Sequence, residues 1–195
     1  MKTGNYLKVF GNTIYFAVVS GVIVIALGAM AGYKLDRMNN RIGEITSVVF
    51  MIAMMLPFPV IMIPLAVVAS DLHISNNLTL VSVLNAGFSC SLAVIMYKQA
   101  VSSIPKELDE AAYIDGAGTF RVYWQVILPL IKPILGVVGL FSFRSAWNDY
   151  INSNIFTMTQ PQLRPLTVGV VSLRYGVMSA AQWNIMLAGA AMSIV

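Results

Sequence analysis

Long apolar runs separated by short polar stretches dominate this chain. A membrane-spanning helix needs about 20 mostly apolar residues, and four runs reach that length: residues 12–33, 46–69, 78–97 and 133–154. The second run contains Pro57, Pro59 and Pro64, which predict a broken helix. Residues 182–195 form a further apolar run that is too short for a full span. Since no stretch alternates with the period of a strand and no repeat is visible, we predict an all-α membrane protein.

The positions of Lys and Arg between these runs predict an orientation, because cytoplasmic loops carry an excess of them. The basic residues in question are Lys34, Arg37, Arg41, Lys98, Lys106, Arg121 and Lys132, whereas residues 70–77 contain none. Residues 33–45 and 97–132 are therefore predicted to face the cytoplasm, and residues 70–77 and 155–181 the other side. This orientation places the first residues of the chain on the outer side of the membrane, and residues 182–195 end within a predicted helix. We therefore expect a longer protein with six spans, of which about five are present.

Composition supports a lipid environment. The chain is 58% hydrophobic and 10% charged, with a mean hydropathy of +0.78, whereas soluble domains are about 45–50% apolar and about 25% charged. The net charge of +4 comes from basic residues scattered between apolar runs, which argues against a nucleic-acid partner. The single cysteine, Cys90, excludes an internal disulfide.

A charged and amphipathic stretch lies between the third and fourth predicted spans. It contains Glu110-Ala111-Ala112, then Gly116, then Val126-Ile127-Leu128-Pro129. This stretch resembles the EAA loop of the membrane subunits of binding-protein-dependent ABC importers, whose pattern is E-A-A, three residues, G, nine residues, I-x-L-P. Val126 stands where that pattern has Ile. The resemblance implies a polytopic helical bundle of the ABC importer permease type, which extends over residues 5–195.

Local signals predict two short helices within residues 103–131. Ser102 or Ser103 is a candidate cap, and acidic residues follow in the first turn, where the helix dipole favours anions. Gly116 is suited to end this helix, and Thr119 is a candidate cap for a second helix over residues 120–128. Two helices that meet at a glycine corner form a rigid projection suited to a socket. The simpler alternative is a solvated loop.

In the resembled family, this projection enters a cleft of the ATP-hydrolysing subunit and transmits its motion to the membrane helices. The resemblance implies an ATPase-coupling set, namely Glu110, Ala111, Ala112, Tyr113, Asp115, Gly116, Ala117 and Thr119. The small alanines permit close approach, and Glu110 can bind a basic or backbone donor. The aromatic residues Phe120, Tyr123 and Trp124 are expected to pack against the membrane domain instead.

The sequence argues against catalysis by this chain. It has no G-x-x-x-x-G-K-[ST] phosphate-binding motif. His73 is the single histidine, so neither a metal-ligand cluster nor a Ser/His/Asp set is expected. We therefore expect no catalytic residues, no metal site and no cofactor bound by this chain. The resemblance implies that ATP and Mg²⁺ are used by a partner subunit.

The fourth predicted span is unusually polar, and such residues within a membrane are costly and often functional. The candidates for a substrate path are Arg144, Trp147, Asn148, Asp149, Tyr150 and Asn152. Trp147-Asn148-Asp149-Tyr150 resembles a segment of sugar-importer permeases, and aromatic faces with amide and carboxylate groups suit a sugar. Alternatively, the polar side chains satisfy neighbouring helices, and the aromatic ones form an interfacial belt.

The overall resemblance is to the maltose-type branch of these importers. It implies a permease for a sugar, specifically an oligosaccharide. The permease would pair with a second permease as a heterodimer, and it would work with two ATP-binding cassette subunits and an extracytoplasmic solute-binding protein. Residues 155–181 are expected to contact that binding protein, or else to form a plain external loop. The expected location is the bacterial cytoplasmic (inner) membrane, with several spans. Alternatives are an ABC importer for another solute, such as glycerol phosphate, and a secondary transporter or channel.

Overall fold

The computed structural model describes residues 3–175 together with Leu187 and Ala191. All regular elements in this described part are helical, which confirms the all-α prediction. The helices are α1 (Thr3–Arg37), α2 (Arg41–Met55), α3 (Phe58–Asp71), α4 (Leu78–Ser102), α5 (Glu107–Ile114), α6 (Thr119–Val122), α7 (Leu128–Leu130), α8 (Lys132–Trp147), α9 (Ile151–Phe156) and α10 (Leu166–Tyr175). A π-helical turn, Tyr123–Ile127, joins α6 to α7, and a 3₁₀ turn, Pro161–Leu163, precedes α10.

Two described helices are long and apolar enough to cross a membrane by themselves, namely Leu7–Arg37 and Leu78–Ser102. The number rises to four if each of two bent helix pairs counts as one span. The predicted external segment, residues 155–181, contains the end of α9 and the whole of α10. Of the predicted last span, residues 182–195, all but Leu187 and Ala191 lie outside the described residues. The number of spans in the chain therefore stays a prediction.

Pro57 separates α2 from α3 within the second predicted span. A residue that precedes proline is pushed towards extended backbone, and Leu56 has φ −71° and ψ 121°. Helix α2 therefore ends at Met55, and the chain becomes helical again at Phe58. Pro64, in contrast, lies inside α3.

The described chain forms two compact units. Among the described residues, the first unit draws on residues 3–20, 59–85 and 143–175. Its main core contains Phe16, Ala17, Ala69, Leu78, Val81, Ala146 and Phe156, and a second cluster contains Val9, Trp147, Leu166 and Val170. The buried hydroxyl of Thr13 accepts a hydrogen bond from the backbone N–H of Leu166 (2.7 Å) and donates one to the carbonyl of Val9 (3.1 Å). This hydroxyl fixes the start of α10 to α1.

The second unit comprises residues 21–58 and 86–142. Its core joins the second half of α1 to α4 and to the segment around α6, through Val24, Ala29, Tyr33, Ala86, Ala93, Tyr97, Val101, Val122, Tyr123, Ile127, Ile131 and Val138. Helix α1 approaches α4 closely at Gly28 and Gly32. A Cβ atom at Gly32 would lie 2.6 Å from Cβ of Tyr97 and 2.9 Å from the backbone N of Lys98. Only a residue without a side chain fits at this contact.

This contact generates a stability prediction. Gly32→Ala is expected to destabilise the protein, because overpacking a close contact costs about 1–3 kcal/mol. For a chain of this size, each kcal/mol lowers the melting temperature by about 2–4 °C. Thermal unfolding of the purified protein in detergent measures the shift. Gly21→Ala is the matched control, since a Cβ atom there would meet nothing within 4 Å. Equal melting temperatures for the two variants would contradict the packing described.

Candidate coupling site

The segment from α5 to α7 turns sharply at Gly116. This residue has φ +79°, a left-handed conformation that residues with side chains rarely adopt. The backbone N–H of Gly116 donates to the carbonyl of Tyr113, and that of Ala117 donates to the carbonyl of Ala112, both at 3.0 Å. This pair of bonds is a Schellman motif, which satisfies the last carbonyls of the helix. The predicted glycine corner is therefore present, with α5 before it and α6 after it.

The predicted coupling residues divide between an exposed and a packed face. Those on the exposed face are Glu110, Ala111, Tyr113, Asp115, Gly116 and Thr119. Ala112 and Ala117 are half-buried and pack against the core of the second unit. The structure thus brings all eight residues to one corner and leaves six of them available to a partner.

Neither α5 nor α6 has the side-chain cap that the sequence predicted at its N-terminus. Helix α5 begins at Glu107 with Lys106 before it, and no side chain caps it. The hydroxyl of Ser103 instead donates to the carbonyl of Ala100, at the end of α4. Gly118, not Thr119, precedes α6, again without a side-chain cap. The capping predictions for these serines and for Thr119 were wrong, because Ser103 bonds back to α4 and Thr119 lies inside α6 rather than before it.

A largely buried ion pair fixes α5 to the end of α1. Nε of Arg37 lies 2.5 Å from Oδ2 of Asp109, whose side chain is 7% exposed. The same guanidinium contacts Oδ2 of Asp36 at 2.7 Å and donates to the carbonyl of Ile104 at 3.2 Å. Removing one partner of a buried pair costs about 3–5 kcal/mol, because the other charge is left uncompensated. Helix α5 is therefore held by polar as well as apolar contacts.

Aromatic packing fixes the second half of the loop. The rings of Tyr33 and Tyr123 pack with centroids 5.6 Å apart, and the side chain of Tyr113 lies close to that of Tyr33. Val122, Tyr123, Ile127 and Ile131 are all buried. At Ile131 the chain bends by 79° between Thr119–Leu130 and Lys132–Trp147. The coupling segment thus leads directly into the helix of the fourth predicted span.

The aromatic residues of α6 and the π-helical turn behave differently from one another. Tyr123 is 5% exposed, as expected for packing within this chain, whereas Phe120 is 65% and Trp124 is 51% exposed. The expectation that all three pack against the membrane domain therefore holds in this chain for Tyr123. The other two rings contact each other edge to face, with centroids 6.0 Å apart.

Two of the predicted substrate-path residues present polar groups at the surface, one on α8 and one directly after its end. Arg144 and Asn148 are both exposed, and they lie one helical turn apart. The side-chain amide of Asn148 donates to the carbonyl of Arg144 at 2.9 Å. An ion pair to Arg144 is not found among the described residues.

The other path candidates are engaged within the first unit. Oδ2 of Asp149 accepts hydrogen bonds from the backbone N–H (2.9 Å) and hydroxyl (2.6 Å) of Ser153, and its Oδ1 accepts from the amide of Asn152 (3.1 Å). Asp149 thereby satisfies the start of α9, where the predicted fourth span is interrupted. Trp147 is 5% exposed and packs against Phe143 and Phe10. Asn152 is also buried, and Tyr150 is half-buried.

Three residues at the coupling corner were not named in the predicted coupling set. Arg37 and Asp109 are separated by 71 intervening residues, so no local pattern links them. Ile114 was absent from the predicted set, yet its side chain is 86% exposed, more than any other large apolar side chain in the described part. An apolar residue between Tyr113 and Asp115 in a polar helix was the available signal.

The described residues provide no group of three or more His, Cys, Asp and Glu side chains that could hold a metal ion. The chemistry of the corner is therefore that of a binding surface. It offers an apolar tip at Ile114 beside the carboxylates of Glu110 and Asp115, on a helix anchored from behind.

Comparison with known proteins shows the family of this chain. Residues 24–195 match the family described as the binding-protein-dependent transport system inner membrane component. The chain is 34% identical to the "Probable starch degradation products transport system permease protein AmyC" of Thermoanaerobacterium thermosulfurigenes, over 97% of this chain and 68% of that protein. It is 30% identical to the "Maltodextrin transport system permease protein MalD" of Streptococcus pneumoniae, over 82% of this chain and 56% of that one.

A solved structure shares the fold. It is described as a bacterial ABC transporter involved in the import of the acidic polysaccharide alginate, and the likeness has a TM-score of 0.80 at 20% sequence identity. The match covers 98% of this chain and 70% of that one. The chain thus spans between about half and 70% of the length of these proteins. It belongs to the family of binding-protein-dependent transport system inner membrane components, with carbohydrate permeases among its relatives.

Proposed function

We propose that this chain is the permease subunit of an ABC importer, that it forms part of the path for an oligosaccharide, and that residues 107–119 couple it to a separate ATPase subunit. The observation that carries the proposal is the corner at Gly116, which exposes six predicted coupling residues while α5 is fixed to α1 from behind. A projection that is exposed on one side and anchored on the other can transmit force.

The nature of the substrate follows from the relatives. Their names specify starch degradation products, maltodextrin, and melibiose, raffinose and stachyose. These substrates consist of, or include, sugars of more than one unit. They therefore support an oligosaccharide as the substrate of this chain. The residues we assign to the path are Arg144 and Asn148, because they are exposed.

The assembly that we propose has a second permease beside this one, two ATP-binding cassette subunits and an extracytoplasmic solute-binding protein in a bacterial inner membrane. ATP and Mg²⁺ are bound by the cassette subunits, and this chain holds no cofactor. Closure of the ATPase pair moves the corner at Gly116, which tilts the membrane helices and opens the path outwards. The loaded binding protein then delivers the sugar.

The position of Arg144 supports a substrate path along α8. It lies twelve residues after Lys132, so about 18 Å along the helix, which is near the middle of an apolar layer about 30 Å thick. A charge at that depth costs about 2.5–3.5 kcal/mol on insertion scales when it faces lipid. Since Arg144 is exposed on this chain, it is expected to face the path.

One prediction of this function concerns Gly116. Proline at this position loses the hydrogen bond to the carbonyl of Tyr113 and cannot adopt φ +79°. Because the corner cannot keep its conformation, we expect Gly116→Pro to reduce ATP-driven sugar uptake strongly in proteoliposomes. Docking of the loaded binding protein, measured by co-sedimentation, is expected to persist.

Gly118→Ala is the matched control, because Gly118 has φ −78° and a Cβ atom there meets nothing within 4 Å. Normal uptake by this variant would show that the corner tolerates an ordinary substitution. Normal uptake by Gly116→Pro as well would show that the coupling assignment is wrong.

A further prediction of this function concerns Arg144. Arg144→Met is expected to lower uptake of subsaturating sugar, while Arg144→Lys retains more of it because the charge is kept. The neighbouring substitution Ser145→Ala serves as control. Uptake is measured with radiolabelled maltodextrin in proteoliposomes that contain the whole transporter. Full uptake by Arg144→Met would exclude Arg144 from the path, and loss of the second permease on purification would place it at the contact between the permeases.

A further inference from the structure

The contact between α5 and α1 is specific in its geometry. Arg37 lies in the last turn of α1, and its guanidinium reaches three oxygen atoms, on Asp36, Asp109 and the carbonyl of Ile104. Asp109 belongs to α5, and Ile104 precedes α5 in the turn that follows α4. The planar fork of an arginine fixes direction as well as distance, which a lysine ammonium does not. One side chain therefore holds both the helix and the turn that leads into it.

The remaining attachments of α5 are weak by comparison. On its packed face, Ala112 contributes a methyl group to the core, and Ala117 does the same just after the corner. At its ends, α5 continues into the short segments 103–106 and 115–118. Small side chains make few contacts, so they position the helix without strongly resisting a change in its direction. The side chain of Tyr113 also lies close to that of Tyr33, but the ion pair is the charged link between α5 and α1 among the described contacts.

We propose that Arg37 and Asp109 are positioning residues for energy coupling, which transmit movement of the corner at Gly116 into α1. This proposal rests on the coupling function proposed above and extends it. A movement of the corner reaches α8 through the chain itself, along α6 and α7. The ion pair carries the same movement to α1, which is remote from the corner in sequence. Two membrane helices are thereby driven from one docking point.

The test separates transmission from stability. Replacing a buried ion pair with apolar residues of similar size is often neutral for stability, because no charge is left unpaired. The variant Asp36→Asn/Arg37→Met/Asp109→Leu removes all three charges together, so the transporter is expected to assemble and hydrolyse ATP. Sugar uptake per ATP hydrolysed is expected to fall about tenfold, within the usual range of coupling between sites, about 5- to 150-fold. Both rates are measured in proteoliposomes that contain the complete transporter.

The matched control is Lys34→Met/Glu44→Gln. It removes one basic residue from the last turn of α1 and one acidic residue from the first turn of α2, both exposed and both outside the proposed coupling segment. Uptake per ATP is expected to stay normal, because neither residue forms a described ion pair. Normal uptake per ATP in the variant without the three charges would overturn the proposal.

If the triple variant does not assemble, the variant Arg37→Lys tests the proposal instead. It keeps the charge beside Asp109 and loses the fork, so uptake per ATP is expected to fall while assembly is retained. Full coupling by Arg37→Lys would then overturn the proposal. The proposed function itself is judged on the unsubstituted transporter. If no ATP-binding subunit purifies with it, the coupling function fails, whatever the variants show.

Discussion

The close packing of α1 against α4 is the constraint on which the coupling site depends. Gly32 lets α1 approach Tyr97 so closely that a single added methyl group would overlap its Cβ atom. Tyr33, the next residue along α1, is thereby placed against Tyr123 of the π-helical turn. One helical turn after Tyr33, Arg37 reaches Asp109. The position of the exposed corner thus follows from the contact between two membrane helices.

Polar groups in the apolar units are arranged so that most of them have partners. In the first unit, the hydroxyls of Thr13 and Ser20 bond to the backbone of Leu166 and of Ser82, respectively. The carboxylate of Asp149 is used at the start of α9. Such bonds are expected where backbone groups have no water to meet. Arg144 differs from them because it is charged and exposed, and this contrast makes it the stronger candidate for contact with substrate.

The sequence predicted the all-α fold and the glycine corner because both depend on local signals. Runs of apolar residues reveal helices of membrane length, and Gly116 reveals a left-handed position. It did not predict the capping of α5 and α6, since side chains near a helix end have several possible partners. Ser103 bonds backwards to α4 instead of forwards to α5. The structural use of Asp149 was open for the same reason.

Long-range contacts were beyond the reach of pattern analysis. The pairing of Arg37 with Asp109 arises from tertiary packing, and each residue alone resembles an ordinary surface charge at a helix end. The exposure of Ile114 likewise depends on which face of α5 packs inwards. The ion pair to α1 holds Asp109 in a buried position, and this position decides which face of α5 packs inwards.

The most direct test of the account is photo-crosslinking from position 114 in the full-length protein in native membranes. Ile114 suits a probe because its side chain is 86% exposed, whereas the side chain of Tyr113 lies close to Tyr33. A probe at Leu72, which is 62% exposed in the segment predicted to face outwards, is the control. The account predicts an adduct with an ATP-binding subunit from position 114 and none from position 72. An ATPase adduct from position 72, or its absence from position 114 in the assembled transporter, would contradict the coupling role of this corner.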